Sequence, residues 1–252
     1  MSKPVKFLVV VVVVAVVAVS AWYGFLHAYY RSQLARLFYT RNLNITQQFT
    51  QVYAESRAWE LATFLGAKSE QTPTDNWTMQ EIIYDVKPDF VVETGTAEGG
   101  TALYYAGLLA LMESDGKVIT VDLERKTAEA EKHHVWQERV HQYIGSSTDP
   151  AIVESIRKEV AGKRVLVTFD SDHRREHVLR ELAMYSPMVP VGSYVVVQDT
   201  ASNGHPVPTD FGPGPWEAVQ EFLQTHPEFV QDHSREKYLL TFYPGGFLKR
   251  VR

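Results

Sequence analysis

The sequence predicts an α/β fold built on a doubly wound, mainly parallel sheet, and three observations carry that expectation. Short β-branched and aromatic runs recur at 90–92, 118–121, 140–144, 164–169 and 193–197, with segments of helical period between them. Such alternation puts helices on both faces of a parallel sheet. The first run meets a Gly-rich bend and then an apolar helix, the arrangement of a ligand cradle. At 252 residues and 45% hydrophobic content, the chain is long enough for one such domain with an appendage.

From the start of the chain, Phe7 to Leu26 is nearly all apolar, and no charge falls between Lys6 and Arg31. At ~1.5 Å per residue, such a run spans a hydrocarbon core of ~30 Å. It predicts a transmembrane anchor over 7–27 behind a short tail, 1–6, with Trp22, Tyr23, Tyr29 and Tyr30 as interfacial aromatics. A cleaved signal peptide is the competing reading, from Lys3, Lys6 and Val19-Ser20-Ala21, but the apolar run is longer than a usual signal core. Arg31, Arg36 and Arg41 make the next segment basic and suited to anionic headgroups. The expected localisation is therefore the membrane, with the main domain on the cytosolic side.

Residues 28–75 read as a juxtamembrane helical linker and 76–252 as the main domain. A helix over Trp77 to Val86 leads into the first strand. Later helices are expected over Thr127 to Arg139, Pro150 to Val160, Glu176 to Tyr185 and Pro215 to Thr225. A hairpin of Tyr238 to Tyr243 with Phe247 to Val251, turning at Pro244-Gly245-Gly246, closes the domain. The net charge of −5 argues against a nucleic-acid partner, and the absence of Cys excludes disulfides, thiolate nucleophiles and Cys-based metal sites. A homo-oligomer is left open.

The bend reads Glu93-Thr94-Gly95-Thr96-Ala97-Glu98-Gly99-Gly100. A carboxylate at position 93 repels a pyrophosphate and welcomes a cation or a donor-rich group. The glycine spacing also differs from the dinucleotide fingerprint. The second strand ends in Asp122, placed to hold a ribose diol. Together these residues resemble the nucleoside-binding edge of a Rossmann-like class I S-adenosylmethionine-dependent methyltransferase.

A second constellation follows strands four and five: Asp170-Ser171-Asp172-His173 and Gln198-Asp199. Ligands of open α/β sheets bind beyond the carboxyl ends of the strands. Oxygen donors at Asp170, Asp172, Gln198 and Asp199 suit Mg²⁺. The ion would acidify a substrate hydroxyl, with His173 placed to take its proton. Helix capping by Asp170 and Asp199 is the plainer reading of the same acids. His205, in the Asn203-Gly-His-Pro loop, is a second candidate base or substrate contact, and Trp216 offers an apolar wall.

The motifs Thr74-Asp75, Glu93 to Gly100, Asp170-Ser-Asp-His173, Gly192 to Thr200, Asn203 to Pro206, Gly212-Pro-Gly-Pro-Trp216 and Pro244-Gly-Gly-Phe247 resemble the cephalosporin hydroxylase family, which includes rhamnosyl O-methyltransferases. The resemblance implies a Mg²⁺-assisted transfer of a methyl group from S-adenosylmethionine to a hydroxyl of a sugar, glycolipid or natural product. It implies cosubstrate contacts at Glu93, Gly95 and Asp122, with Ser146 and Ser147 added. It also implies one departure, Gln198 at a position commonly acidic in that family. A hydroxylase or other oxidoreductase and a degenerate, membrane-tethered binding protein are the alternatives.

Overall fold

The computed structural model describes residues 14, 17–27, 29 and 43–252, which fall into two units, Met1–Gln48 and Phe49–Arg252. In the first unit, 17–27 is helical. The expected anchor over 7–27 is corrected. Among the described residues no helix is long and apolar enough to cross a membrane, so a single-pass anchor, membrane localisation and a cytosolic orientation are not supported. Most of 1–16 and of 28–42 lies outside the described residues.

The second unit takes in most of α1 (Ile45–Ser56), then the hairpin of β1 (Thr63–Phe64) and β2 (Ala67–Lys68). α2 spans Pro73–Val86, starting four residues before the expected Trp77. The Thr72 hydroxyl accepts from the Asp75 N–H, and Pro73 fills the first helical position, where a missing N–H costs nothing. Lys87, in the left-handed region ahead of Pro88, ends it.

The sheet then builds through β3 (Phe90–Thr94), α3 (Gly100–Leu111), β4 (Lys117–Asp122), α4 (His134–Arg139), β5 (Val140–Ile144) and α5 (Pro150–Glu159). It continues through β6 (Val165–Phe169), α6 (Arg175–Tyr185), β7 (Tyr194–Val197), α7 (Pro215–Thr225), β8 (Phe229–Gln231) and β9 (Phe247–Arg250). The spatial order is β5-β4-β3-β6-β7-β9-β8. β9 alone is reversed, antiparallel to both neighbours.

Side chains alternate across this sheet. Val92, Ile119, Val167 and Val195 pack under α5, α6 and α7, whereas Val91, Val118, Leu166 and Val196 pack under α2, α3 and Trp136. Covering both faces is why the strands read as continuous apolar runs. The closing hairpin is corrected: Tyr238–Tyr243 forms no strand, and β9 pairs instead with β8. The expected helix 127–139 is broken at His133, whose backbone is extended, leaving a 3₁₀ turn over Ala130–Lys132 and the short α4.

Candidate active site

β3 and β6 are neighbours from which the chain winds outward in opposite directions, so a crevice opens beyond their carboxyl ends. There a cavity of about 470 Å³ is lined by Gly95, Thr96, Asp170, His173 and Asp199 from strand ends, and by Gln71 from the segment before α2.

The bend after β3 is built by close approach. Gly95 has φ +87°, and a Cβ on it would lie 2.5 Å from the carbonyl carbon of Asp170 and closer still to its oxygen. The Gly95 N–H donates to Val121 O at 2.8 Å, and the Ala97 N–H to Asp122 Oδ2 at 2.8 Å. Glu93 lies under this bend, 1% exposed, and its Oε2 accepts from the Thr120 hydroxyl at 2.6 Å. The Thr96 and Thr120 hydroxyls are 2.7 Å apart. Burial pushes the Glu93 carboxyl up to about 8; the Thr120 bond opposes this, while Asp170 and Asp122 add to it.

The remaining cosubstrate candidates sit elsewhere. Gly99 and Gly100 are packing glycines: a Cβ on the first would meet Trp136 and Ala130, and on the second the backbone of Lys68. Ser147, buried, faces His177 Nε2 at 3.0 Å, and its carbonyl accepts from Tyr185. Ser146 pairs with Thr148 at 3.1 Å. Neither serine lines the cavity.

Among the metal and base candidates, Asp170, His173 and Asp199 come together, with one donor atom of each within 4.8 Å of the others. His173 Nε2 is 2.8 Å from Asp199 Oδ2 and 4.0 Å from Asp170 Oδ1. Burial and the facing Asp199 carboxylate raise Asp170 well above the usual carboxylate range. Burial alone would lower His173; the bond and charge of Asp199, with the Asp170 charge, raise it to about 9 instead.

Asp172 is turned out, paired with Arg174 at 3.0 Å. Gln198 is 2% exposed and lies behind the cavity wall. Its Oε1 accepts from Gln71 Nε2 at 2.7 Å and from the Tyr243 hydroxyl at 2.6 Å, and its Nε2 donates to Thr168 Oγ1 at 2.8 Å. Gln71 also donates to Asp170 Oδ2 at 2.9 Å and faces the Tyr243 hydroxyl through its own carbonyl. Gln71 and Tyr243 escaped the sequence reading. The first stands in a polar break without periodicity, and the second was assigned to a strand.

His205 also lies outside the cavity lining. Its ring stacks on Trp216 at 4.1 Å, and Nε2 meets Glu217 Oε1 at 3.0 Å, while Asn203 donates to the same oxygen at 2.7 Å. It fastens the loop after β7 to the start of α7. His205→Ala is expected to cost about 1–2 kcal/mol of stability through the lost stack and bond. Turnover should stay within roughly threefold, as for losses away from the reacting atoms, and denaturant titration beside steady-state kinetics checks both.

Among known proteins, the family model described as Rhamnosyl O-methyltransferase/CmcI matches residues 56–251. The rhamnosyl O-methyltransferase of Mycobacterium bovis (strain BCG / Pasteur 1173P2) is 36% identical over 221 residues, 86% of this chain and 89% of that protein. That of Mycobacterium leprae (strain TN) is 33% identical over 224 residues, 87% and 96% of the two chains. Among solved structures, CmcI-N160 in its apo form superposes with a TM-score of 0.57 at 16% identity over 77% of each chain. The Mg-SAM structure of cmcI-D160 gives 0.57 at 15% identity over 77% of this chain and 78% of that one. At such identities the structural likeness is one of fold.

Proposed function

Because the chain belongs to the rhamnosyl O-methyltransferase/CmcI family, we propose that its cavity transfers a methyl group from S-adenosylmethionine to a hydroxyl of a sugar carried by a glycolipid or natural product. The observation that carries this reading is the meeting of Asp170, His173 and Asp199 beside the Gly95 bend, on the floor of a cavity at the switch point of the sheet.

The chain is an S-adenosylmethionine-dependent O-methyltransferase by its relatives, and the residues present suit that chemistry. Gly95 and Thr96 line the cavity, and the glycine lets the bend pack directly on the Asp170 backbone. Asp122 fixes the bend by holding the Ala97 N–H. Asp170 and Asp199 offer carboxylate oxygens to a divalent cation, Mg²⁺ by likeness to the cmcI-D160 complex. A bound divalent ion supplies Lewis acidity that favours the deprotonated acceptor hydroxyl. The chain's own work is alignment: Gln71 holds Asp170, and Phe211 and Phe242 add apolar surface to the cavity lining.

Isothermal titration of the full chain with S-adenosylmethionine, with and without Mg²⁺, tests the reading, followed by mass analysis of rhamnosylated acceptors. Cosubstrate binding strengthened by the metal, and acceptors heavier by one methylene unit, are expected. Absence of cosubstrate binding under both conditions would overturn the assignment. Binding without turnover on any acceptor would favour a binding protein.

A further inference from the structure

We propose that an apolar chamber beside the catalytic cavity is an aglycone subsite, taking an aromatic ring or short alkyl segment of the acceptor next to the sugar that is methylated. The proposal deepens the functional reading above and rests on it. It concerns what the acceptor carries beyond its sugar.

The chamber, of about 200 Å³, opens among Phe49 and Tyr53 of α1, Pro73 at the start of α2, and Leu240 in the segment before β9. It adjoins the catalytic cavity across Thr72 and Phe242, which line both. The two spaces differ in chemistry. Lys68, Glu70, Asp170, His173 and Asp199 bring charge to the first, whereas among the described residues no charged side chain lines the second. The cosubstrate bend, Gly95 to Ala97, lines the first alone, so the second is left to the acceptor.

Three rings make one wall. Tyr53 meets Phe242 edge-on at 5.9 Å between centroids and Phe49 stacks on Tyr53 at 6.2 Å, so aromatic surface runs from the catalytic cavity out to Phe49, which is 48% exposed. That wall is held in place. The buried Asp75 carboxylate accepts from the Phe242 N–H at 2.9 Å and from the Thr72 hydroxyl at 2.5 Å, which fastens the segment before β9 to the start of α2.

The size suits a single ring, since a dry apolar cavity of ~150 Å³ binds benzene. A sugar placed there would lose water from its hydroxyls without regaining enough partners, whereas an apolar substituent gains by leaving water. An acceptor with its sugar over the acids and an apolar group beyond the Phe242 edge satisfies both spaces at once.

The test compares methyl and phenyl α-rhamnosides on the full chain, in the presence of unreactive S-adenosylhomocysteine, with saturation-transfer NMR as the readout. The phenyl glycoside is expected to bind about tenfold more tightly or better, the scale of burying one ring, with saturation strongest on the ring protons. In the double variant Phe49→Ala/Leu240→Ala, that advantage should fall by about threefold or more while methyl rhamnoside binding is unchanged. The wild-type comparison stands even if the variant misfolds. Equal binding of the two glycosides would overturn the proposal, as would a phenyl advantage that persists undiminished in the folded variant and so places the ring elsewhere. Binding of neither glycoside also counts against it, because the chamber then adds nothing to acceptor affinity. S-adenosylmethionine titration of the same samples separates the failures: with cosubstrate binding intact the subsite alone is lost, whereas without it the functional reading falls as well.

Discussion

Asp199→Asn is expected to reduce turnover by about a thousandfold or more, the scale of losing a charged group that organises transition-state electrostatics. The affinity for S-adenosylmethionine should stay within roughly threefold, since the loss falls on a step and not on uniform binding. Asn is the informative replacement because Asp199 sits at φ +53°, a left-handed backbone that Asn tolerates and Ala does not favour. The variant keeps shape and removes one charge, so a large effect reports electrostatics rather than packing. A second readout follows from His173. Its folded pKa lies above the ordinary 6.5, at about 9, held there against burial by Asp199 and Asp170. In the metal-free protein this raised value gives stability that is full below about 6.5 and is lost as pH rises through about 9. Asp199→Asn should flatten that dependence, visible in denaturant midpoints taken between those limits. Full activity in the variant would remove the carboxylate from the mechanism.

Gly95→Ala is expected to be the most disruptive single-methyl change in the domain, costing ~3 kcal/mol or more, the combined scale of backbone strain and overpacking. The added methyl collides with the Asp170 carbonyl, which is backbone and has no rotamer to yield. The Asp170 N–H is itself tied to Thr94 O at 2.9 Å, so the two strand ends would have to part. Because Asp170 is one of the proposed ligands, any folded fraction should show weakened metal binding along with lost cosubstrate binding. Urea titration and Mn²⁺ binding of the soluble fraction check the two consequences. A variant with wild-type stability would show that the bend relaxes more easily than its geometry implies.

The parts of the fold that were legible in the sequence are those fixed by local chemistry and burial together. β3, β4, β6 and β7 are buried on both faces, so each stands out as an apolar β-branched run, and the strand-end rule then leads to Asp170 and Asp199. β8 was missed because Phe229–Gln231 is three residues long and too short to show alternation. Tyr238 to Tyr243 carried the aromatic signal of a strand, but those rings pack as a loop against α2 and the cavity: Tyr238 donates to Glu81, and Phe242 lines the site.

The site was legible to the level of which strand ends matter, not of which way side chains turn. Successive residues leaving a strand point in different directions. Asp199 therefore enters the cavity while Gln198 drops behind it. Asp172, past the end of β6 where strand alternation no longer applies, turns out to Arg174 while Asp170 lines the cavity. Sequence spacing alone treats these neighbours alike. Gly99 and Gly100 look like ligand-facing glycines for a similar reason. A glycine demanded by Trp136 or by the Lys68 backbone has the same signature as one demanded by a cosubstrate.

The reversed strand β9 sits between β7 and β8, though both are made before it. Among the described residues β8 pairs in the sheet with β9 alone, so it stays without that partner during synthesis until the later strand arrives. Such non-local closure is slow compared with the local β3–α3–β4 unit. Tyr243 travels on the segment just ahead of β9 and reaches Gln198 only with that closure. The wall behind Asp170 is therefore among the last features to assemble, and a nascent chain halted before β9 would carry its strand-end acids without the network that positions them.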